Sequence, residues 1–209
     1  MGVLKKIFGN ARKPQGVIGK MMAKGMNRGP HEKLANWGFT HLMLNGDETA
    51  IDLGCGGGAN VAKLLTKLPN GKVSGLDYSE VSVETSKETN RREISAGRCN
   101  ILQGNVMNLP LKEQSFDVVT AFETIYFWPD LSQSFSEVYR ILKQGGRFMI
   151  TNESDGKHEA SLKWKDLVDG MNVYTAEELE TLLTGVGFTI GTIDEDSAHD
   201  RLCVVACKA

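Results

Sequence analysis

Four of the five residues from Gly54 to Gly58 are glycine, and they follow directly on the apolar run Ala50-Ile51-Asp52-Leu53. Glycines let a turn take backbone angles closed to other residues, and they let a ligand lie against the peptide groups themselves. A second apolar run, Gly75-Leu76-Asp77-Tyr78-Ser79, carries a carboxylate 25 residues after Asp52. A carboxylate at the tip of a neighbouring strand reaches a vicinal diol such as a ribose. Together the two stretches describe a nucleoside-binding crevice. Gly54, Gly56 and Ala59 also satisfy the G-x-G-x-x-G/A spacing of dinucleotide sites, so NAD(P) competes for this crevice. Against it, Asp52 stands inside the first strand, where a dinucleotide fold has an apolar residue.

The elements needed to hold such a crevice are legible along the chain. From residue 49 strands and helices alternate, as in a mainly parallel sheet covered on both faces. Strands are expected at Thr49–Leu53, Lys72–Asp77, Asn100–Gln103, Phe116–Phe122 and Arg147–Thr151. The fourth, FDVVTAF, is almost wholly apolar, as suits a strand buried on both faces. Leu64, Leu65 and Leu68 mark a helix over Asn60–Leu68. Ser79 caps a second helix that runs to about Ala96 and is stopped by Gly97. Leu131, Phe135, Val138 and Leu142 mark a third, stopped by Gly145-Gly146. Thr175-Ala176-Glu177-Glu178 is a capping box opening the last helix. A sixth strand begins at Phe188 and a seventh covers Leu202–Cys207. The link Asp194–Asp200 is too short and polar for a crossover helix, so these two pair antiparallel. The expected fold is therefore α/β, a Rossmann-like doubly wound sheet of seven strands, six parallel and the last reversed.

The 209 residues, 41% of them hydrophobic, suffice for one sizeable core without disulfides. Cys55, Cys99, Cys203 and Cys207 lack CxxC spacing and read as free thiols, Cys55 as a small turn residue rather than a nucleophile. No apolar run is long enough to span a bilayer, and Met1–Lys6 is not followed by an apolar signal core. A cytoplasmic protein is expected. Residues 1–46 carry eight Lys and Arg against the single acid Glu32, and the remainder carries sixteen against twenty-five acids. Such a basic segment suits nucleic acid or an anionic surface. Because its charges are interleaved with Met21, Met22, Met26, Leu34 and Trp37, it also reads as an extension packed over the domain.

The motifs Asp52-Leu53-Gly54-Cys55-Gly56-Gly57-Gly58, Leu76-Asp77-Tyr78-Ser79, Gly104-Asn105-Val106-Met107-Asn108-Leu109-Pro110-Leu111, Ser115-Phe116-Asp117-Val118-Val119 and Arg140-Ile141-Leu142-Lys143-Gln144-Gly145-Gly146-Arg147 occur in this order. In that arrangement, covering roughly residues 47–208, the chain resembles the class I methyltransferases that use S-adenosylmethionine. Within them it is similar to the group containing ubiquinone and menaquinone biosynthesis methyltransferases. The resemblance implies that residues 47–209 bind S-adenosylmethionine and that residues 1–46 form a basic helical extension, with 15–42 a lid. It implies that Gly54, Gly56 and Gly58 approach the methionine part of the cofactor and that Asp52 orients the loop or holds the cofactor's ammonium. Asp77 would bind both ribose hydroxyls and Tyr78 would lie beside the adenine. Asn105, where many relatives have aspartate, would accept from the adenine N6 amino group, and the Val106 amide would donate to N1.

The methyl acceptor then belongs over the carboxyl ends of strands four and five, where Glu123-Thr124-Ile125-Tyr126-Phe127-Trp128-Pro129 and Asn152-Glu153 fall. Glu123 is the expected polar contact to cofactor or acceptor, and Tyr126, Phe127 or Trp128 the aromatic wall beside the sulfonium. Glu153, His31, His41 and His158 are further candidates for a base, and no metal is called for. The missing Asn/Asp-Pro-Pro-Tyr motif argues against adenine N6 or amide acceptors. Short loops and the lack of an appended nucleic-acid module favour a small-molecule acceptor and no stable nucleic-acid partner. Two alternatives stay open: an RNA or protein methyltransferase docking through the basic arm, and a non-catalytic cofactor-binding protein.

Overall fold

The computed structural model describes residues 15–25, 29–159, 162, 163, 165, 168 and 170–209, with only the backbone of residues 17, 18 and 22–24. Two N-terminal helices, α1 (Gly16–Gly25) and α2 (Pro30–Gly38), lead through a 3₁₀ turn at Phe39–His41 into the alternating region. There follow β1 (Thr49–Leu53), α3 (Ala59–Lys67), β2 (Lys72–Asp77), α4 (Glu80–Thr89), α5 (Arg91–Ser95), β3 (Cys99–Gln103) and β4 (Phe116–Phe122). A 3₁₀ turn at Ile125–Phe127, α6 (Leu131–Ile141), β5 (Leu142–Asn152), α7 (Ala176–Val186), β6 (Phe188–Asp196) and β7 (Arg201–Lys208) complete the chain.

The strands form one sheet in the order β3-β2-β1-β4-β5-β7-β6. Pairings from β3 to β5 are parallel, and β7 runs antiparallel between β5 and β6. A dinucleotide fold would continue past β5 with further parallel strands; the reversed β7 replaces that second nucleotide-binding half. The sheet is buried on both faces. Ile51, Leu53, Phe148 and Ile150 meet Phe135 and Val138 of α6 and Leu179 of α7 on one side. Ala50, Val118, Phe122 and Met149 meet Val61 and Leu64 of α3, Val83 of α4 and Ala35 of α2 on the other.

Two helix ends differ from the sequence expectation by more than one residue. The helix expected from Ser79 to Ala96 does begin with the Ser79 hydroxyl accepting from Ser82 N, but it breaks at Asn90. That side chain is buried and spends its amide on Ser86 O and Gly58 O, both 3.0 Å. The helix expected to stop at Gly145-Gly146 ends instead at Ile141, and both glycines lie inside β5. They form the irregularity that lets Leu142 pair with Phe116 and Arg147 with Val118.

The N-terminal segment shares the core. Leu34, Ala35, Phe39 and Leu42 are buried, and the Phe39 and Phe122 rings lie 5.0 Å apart. Trp37 packs against the same cluster with the Arg201 guanidinium 4.6 Å over its ring. Lys20 of α1 pairs with Glu88 of α4 at 2.6 Å. Met21 was expected to pack but points out, 71% exposed; the Met22 side chain and Met26 lie outside the described residues.

Candidate active site

The turn after β1 is held from below by strand ends and from behind by α4. Gly54 N and Cys55 N both donate to Leu76 O, at 2.7 and 3.1 Å, which ties the loop to the end of β2. Gly57 O accepts from Thr89 Oγ1 (2.8 Å) and Gly58 O from Asn90 Nδ2. Gly54, at φ +75°, lies so close to Thr124 that a Cβ would sit 2.0 Å from its Oγ1. At Gly56, φ +49°, a Cβ would meet nothing within 4 Å. The loop is therefore closed at Gly54 and open at Gly56, where a ligand can lie on the backbone.

Asp77 joins this loop to the next helix. Its Oδ2 accepts from Gly56 N (2.9 Å) and its Oδ1 from Ser79 N (2.8 Å). Burial raises its pKa against the backbone and side-chain groups of Ser79, Gly56, Tyr78 and Ser82 that lower it. Tyr78 beside it is 40% exposed. The exposed Asn105 already accepts from Met107 N through Oδ1 at 3.0 Å, leaving one lone pair of that oxygen for another donor. Val106 is half-buried against the core. Arg140 shapes this loop, donating to Leu109 O and Leu111 O at 3.0 and 2.8 Å.

Asp52 is placed differently. It is 1% exposed and accepts from Thr120 Oγ1 at 2.7 Å, beneath the loop rather than along the cleft. Burial pushes its pKa to about 7. A folded-state pKa above the unfolded value means that its stabilisation is complete below about pH 4 and is lost as pH rises through about 7. Asp52→Asn should therefore be more stable than the parent at pH 8, by on the order of a few kcal/mol, with the advantage fading by pH 4. Urea unfolding of the ligand-free proteins at both pH values checks this; identical pH slopes would contradict it.

A cleft of about 470 Å³, counted out to its mouth, opens above Gly54, Cys55, Gly56 and Gly57. Its other walls are His31 and Glu32 of α2, Ala59, Asn60 and Lys63 of α3, and Phe122 and Glu123 at the end of β4. Glu123 has φ +54°, a strained value for a non-glycine residue. Its carboxylate meets His31 Nδ1 at 2.7 Å, and this bond raises the His31 pKa. The Glu153 carboxyl completes a group in which ligating atoms of all three residues lie within 4.8 Å of one another. Much of the Glu153 side chain is open to solvent, yet its carboxyl sits among protein atoms, and burial and then the Glu123 charge push its pKa to about 7.

Tyr126 does not line the cleft. It is 2% exposed, and burial followed by the charges of Glu123 and Glu153 raises its pKa well above 10, against the backbone groups of Ser154 and Glu153 that lower it. Trp128 belongs to the core, stacked on Phe148, and Phe127 sits edge-on to Tyr126. Of the other base candidates, His41 is bound to Asp194 and Trp37 O, and His158 to Asp155, both apart from the cleft residues. Cys55 is buried with its thiol pKa raised well above 9 by that burial, which leaves it inert.

Several residues here escape sequence reading. Ser86, Thr89 and Asn90 brace the glycine loop, and their signal was a stripe of small polar residues on the inner face of α4. Thr124 follows Glu123 in the sequence, but its contact with Gly54 has no local signature. A site that joins a buried carboxylate, a glycine loop open at Gly56 and an acid–imidazole pair can seat a polar ligand and handle a proton beside it.

A family profile described as a methyltransferase domain matches residues 44–198. An O-methyltransferase of Pyrenophora dematioidea is 29% identical over 163 residues, 76% of this chain and 61% of that protein. A demethylmenaquinone methyltransferase of Lactococcus lactis is 37% identical over 122 residues, 56% of this chain and 48% of that protein. The chain spans about half the length of the curated relatives it matches. A SAM-dependent methyltransferase of Aquifex aeolicus superposes with a TM-score of 0.75 at 18% identity, covering 91% of this chain and 98% of that one. No helix among the described residues is long and apolar enough to cross a membrane.

Proposed function

The chain belongs to the methyltransferase-domain family of the class I, S-adenosylmethionine-dependent type, and on that footing we propose that it moves a methyl group from S-adenosylmethionine to a small-molecule acceptor by in-line displacement. The observation that carries the reading is the clamp of Asp77 on Gly56 N and Ser79 N beside a loop that opens at Gly56 into the cleft. In this reading Gly54, Gly56 and Gly58 shape the methionine end and Asp77 takes the ribose hydroxyls by charge-assisted bonds. Tyr78 covers the adenine, Asn105 and the Val106 amide meet its edge, and Asp52 acts from below by fixing the loop. S-adenosylmethionine supplies a methyl on a positively charged sulfur that leaves without acid catalysis. What remains for the protein is to align the acceptor and exclude water, and alignment is worth many orders of magnitude in rate.

The relative named demethylmenaquinone methyltransferase acts, by that name, on a small acceptor, which supports the same class here. The position of His31 and Glu32 in the cleft wall supports α2 as a lid over the acceptor.

The test is transfer of label from methyl-labelled S-adenosylmethionine into a small-molecule metabolite extract, set beside total RNA and protein. Label is expected in small molecules, with amide exchange over residues 30–38 slowed when S-adenosylhomocysteine and the acceptor are both bound. Label confined to RNA or protein, and lost steeply with salt, would transfer the conclusion to a macromolecular acceptor docked by the basic segment. Tight cofactor binding without transfer to any pool would make the protein a non-catalytic binder.

A further inference from the structure

We propose that Asn152, at the carboxyl end of β5, recognises the methyl acceptor: its side-chain amide pairs with a carbonyl or hydroxyl oxygen on an otherwise apolar molecule. This rests on the methyl-transfer reading above and deepens it by naming the acceptor class. Asn152 is 0% exposed, and neither its Oδ1 nor its Nδ2 has a hydrogen-bond partner among the described residues. A primary amide carries two donors and a carbonyl oxygen, so leaving it bare in the interior incurs the full cost of its desolvation. Its buried polar neighbours avoid that cost. Thr151 Oγ1 lies 3.6 Å from Cys203 Sγ, Ser154 Oγ accepts from Gly156 N at 3.2 Å, and Asp155 Oδ1 accepts from Lys157 N at 2.8 Å. Among the described residues from 151 to 155, Asn152 is the one buried polar side chain left unpaired.

The sheet fixes which way the amide faces. Successive side chains of a strand point to opposite faces. Thr151 faces α2, so near Gly38 that a Cβ there would sit 2.5 Å from its Oγ1. Asn152 therefore faces the other layer, in register with Leu202 of β7 and on the side of Ile150. That layer is apolar: Ile150 and Leu202 belong to one cluster with Ile125, Ala176 and Leu179. The chain entering α7 closes over this end, with Asn172 N donating to Tyr126 O at 2.8 Å and Gly156 set against Tyr174 and Thr175. Ligands of open α/β sheets bind beyond the carboxyl ends of the strands. Asn152 stands at such an end, on the strand beside β4, whose following residue Glu123 lines the cleft. An apolar lining with one unpaired amide selects a molecule that brings hydrophobic surface and an oxygen to meet it. A molecule without that oxygen leaves the amide bare. An entering acceptor parts the contacts of Asn172 and Gly156 and gives the amide its partner, so opening and recognition are one event.

The test uses parent, Asn152→Leu, which keeps the number and branching of the side-chain heavy atoms, and Asn152→Ala. Each is melted without ligand and titrated with S-adenosylhomocysteine. With the homologue bound, each is then titrated with 2-acetylnaphthalene, 2-naphthol and naphthalene. Removing an unpaired amide is expected to raise the Tm of Asn152→Leu by roughly 2 °C or more and to leave binding of the homologue unchanged. The parent is expected to bind the two oxygen-bearing probes about tenfold more tightly than naphthalene, as one added hydrogen bond allows. Those probes should also shift the Asn152 side-chain signals in a nitrogen–proton correlation spectrum. In both variants the three probes should bind alike; if Leu is not accommodated, Asn152→Ala carries that comparison. A parent without preference for the oxygen-bearing probes would overturn the proposal, as would a preference that survives in the variants. Melting below the parent in both folded variants would mark the amide as a structural group, with the same consequence. A parent that binds no S-adenosylhomocysteine would overturn the methyl-transfer reading itself, an outcome distinct from all the others.

Discussion

Asp77→Ala should weaken binding of S-adenosylhomocysteine about 100-fold, a change of about 2.7 kcal/mol. Hydrogen bonds to a charged group contribute about 1.5–3 kcal/mol each, and the proposed ribose contacts use two. The substitution also frees Gly56 N and Ser79 N from the carboxylate that now aligns them. Because the two amides lose their acceptor, the ligand-free fold is also weakened, and binding is compared at a temperature where parent and variants all remain folded. Asp77→Asn, which keeps one acceptor oxygen, should fall between parent and alanine. Calorimetric titration of the three proteins decides it, and less than a threefold loss in Asp77→Ala would remove this residue from the ribose site.

Gly54→Ala carries the second large effect, on stability and binding together. Its φ of +75° is strained for any side chain, and the new methyl would sit 2.0 Å from Thr124 Oγ1 and 2.6 Å from Thr124 Cβ. Backbone strain of this kind and overpacking each cost about 1–3 kcal/mol. For a chain of this size the sum lowers Tm by roughly 5–15 °C. The loop must also move away from Leu76 O, so S-adenosylhomocysteine binding should weaken more than tenfold. Removing the opposing side chain in Gly54→Ala/Thr124→Gly should recover part of the Tm loss, since the clash disappears while the strained φ remains. A single variant melting within 1 °C of the parent would show that the contact with Thr124 does not constrain the loop.

The parts of this architecture that local patterns control were legible in the chain. Thr49–Leu53, Lys72–Asp77 and Phe116–Phe122 are strands with the expected ends because apolar runs bounded by glycine or polar turns define them. The Thr175–Glu178 capping box is present because both of its bonds lie within three residues. Asp194–Asp200 was too short for a crossover, and β7 duly reverses against β6.

What could not be read depends on distant partners. Asn90 looks like one more helix residue until Gly58 O, 32 positions away, is found to use its amide. Gly145-Gly146 looks like a helix stop, but pairing with β4 draws Leu142 into the sheet before the glycines are reached. The site divides the same way. Glycines and Asp77 announce themselves by type and spacing, whereas His31 gains its meaning only from Glu123, 92 positions on. Tyr126 and Trp128 show the converse: an aromatic cluster after a buried strand suggests a wall, and the core claims both rings.

The crevice between the glycine loop and Asp77 is proposed to hold S-adenosylmethionine. The most direct test is isothermal titration of the parent protein with S-adenosylmethionine, S-adenosylhomocysteine and NAD in the same buffer. One site per chain is expected for each of the two adenosyl sulfur compounds, and no heat of binding from NAD. Saturable binding of NAD, with neither sulfur compound bound, would contradict it.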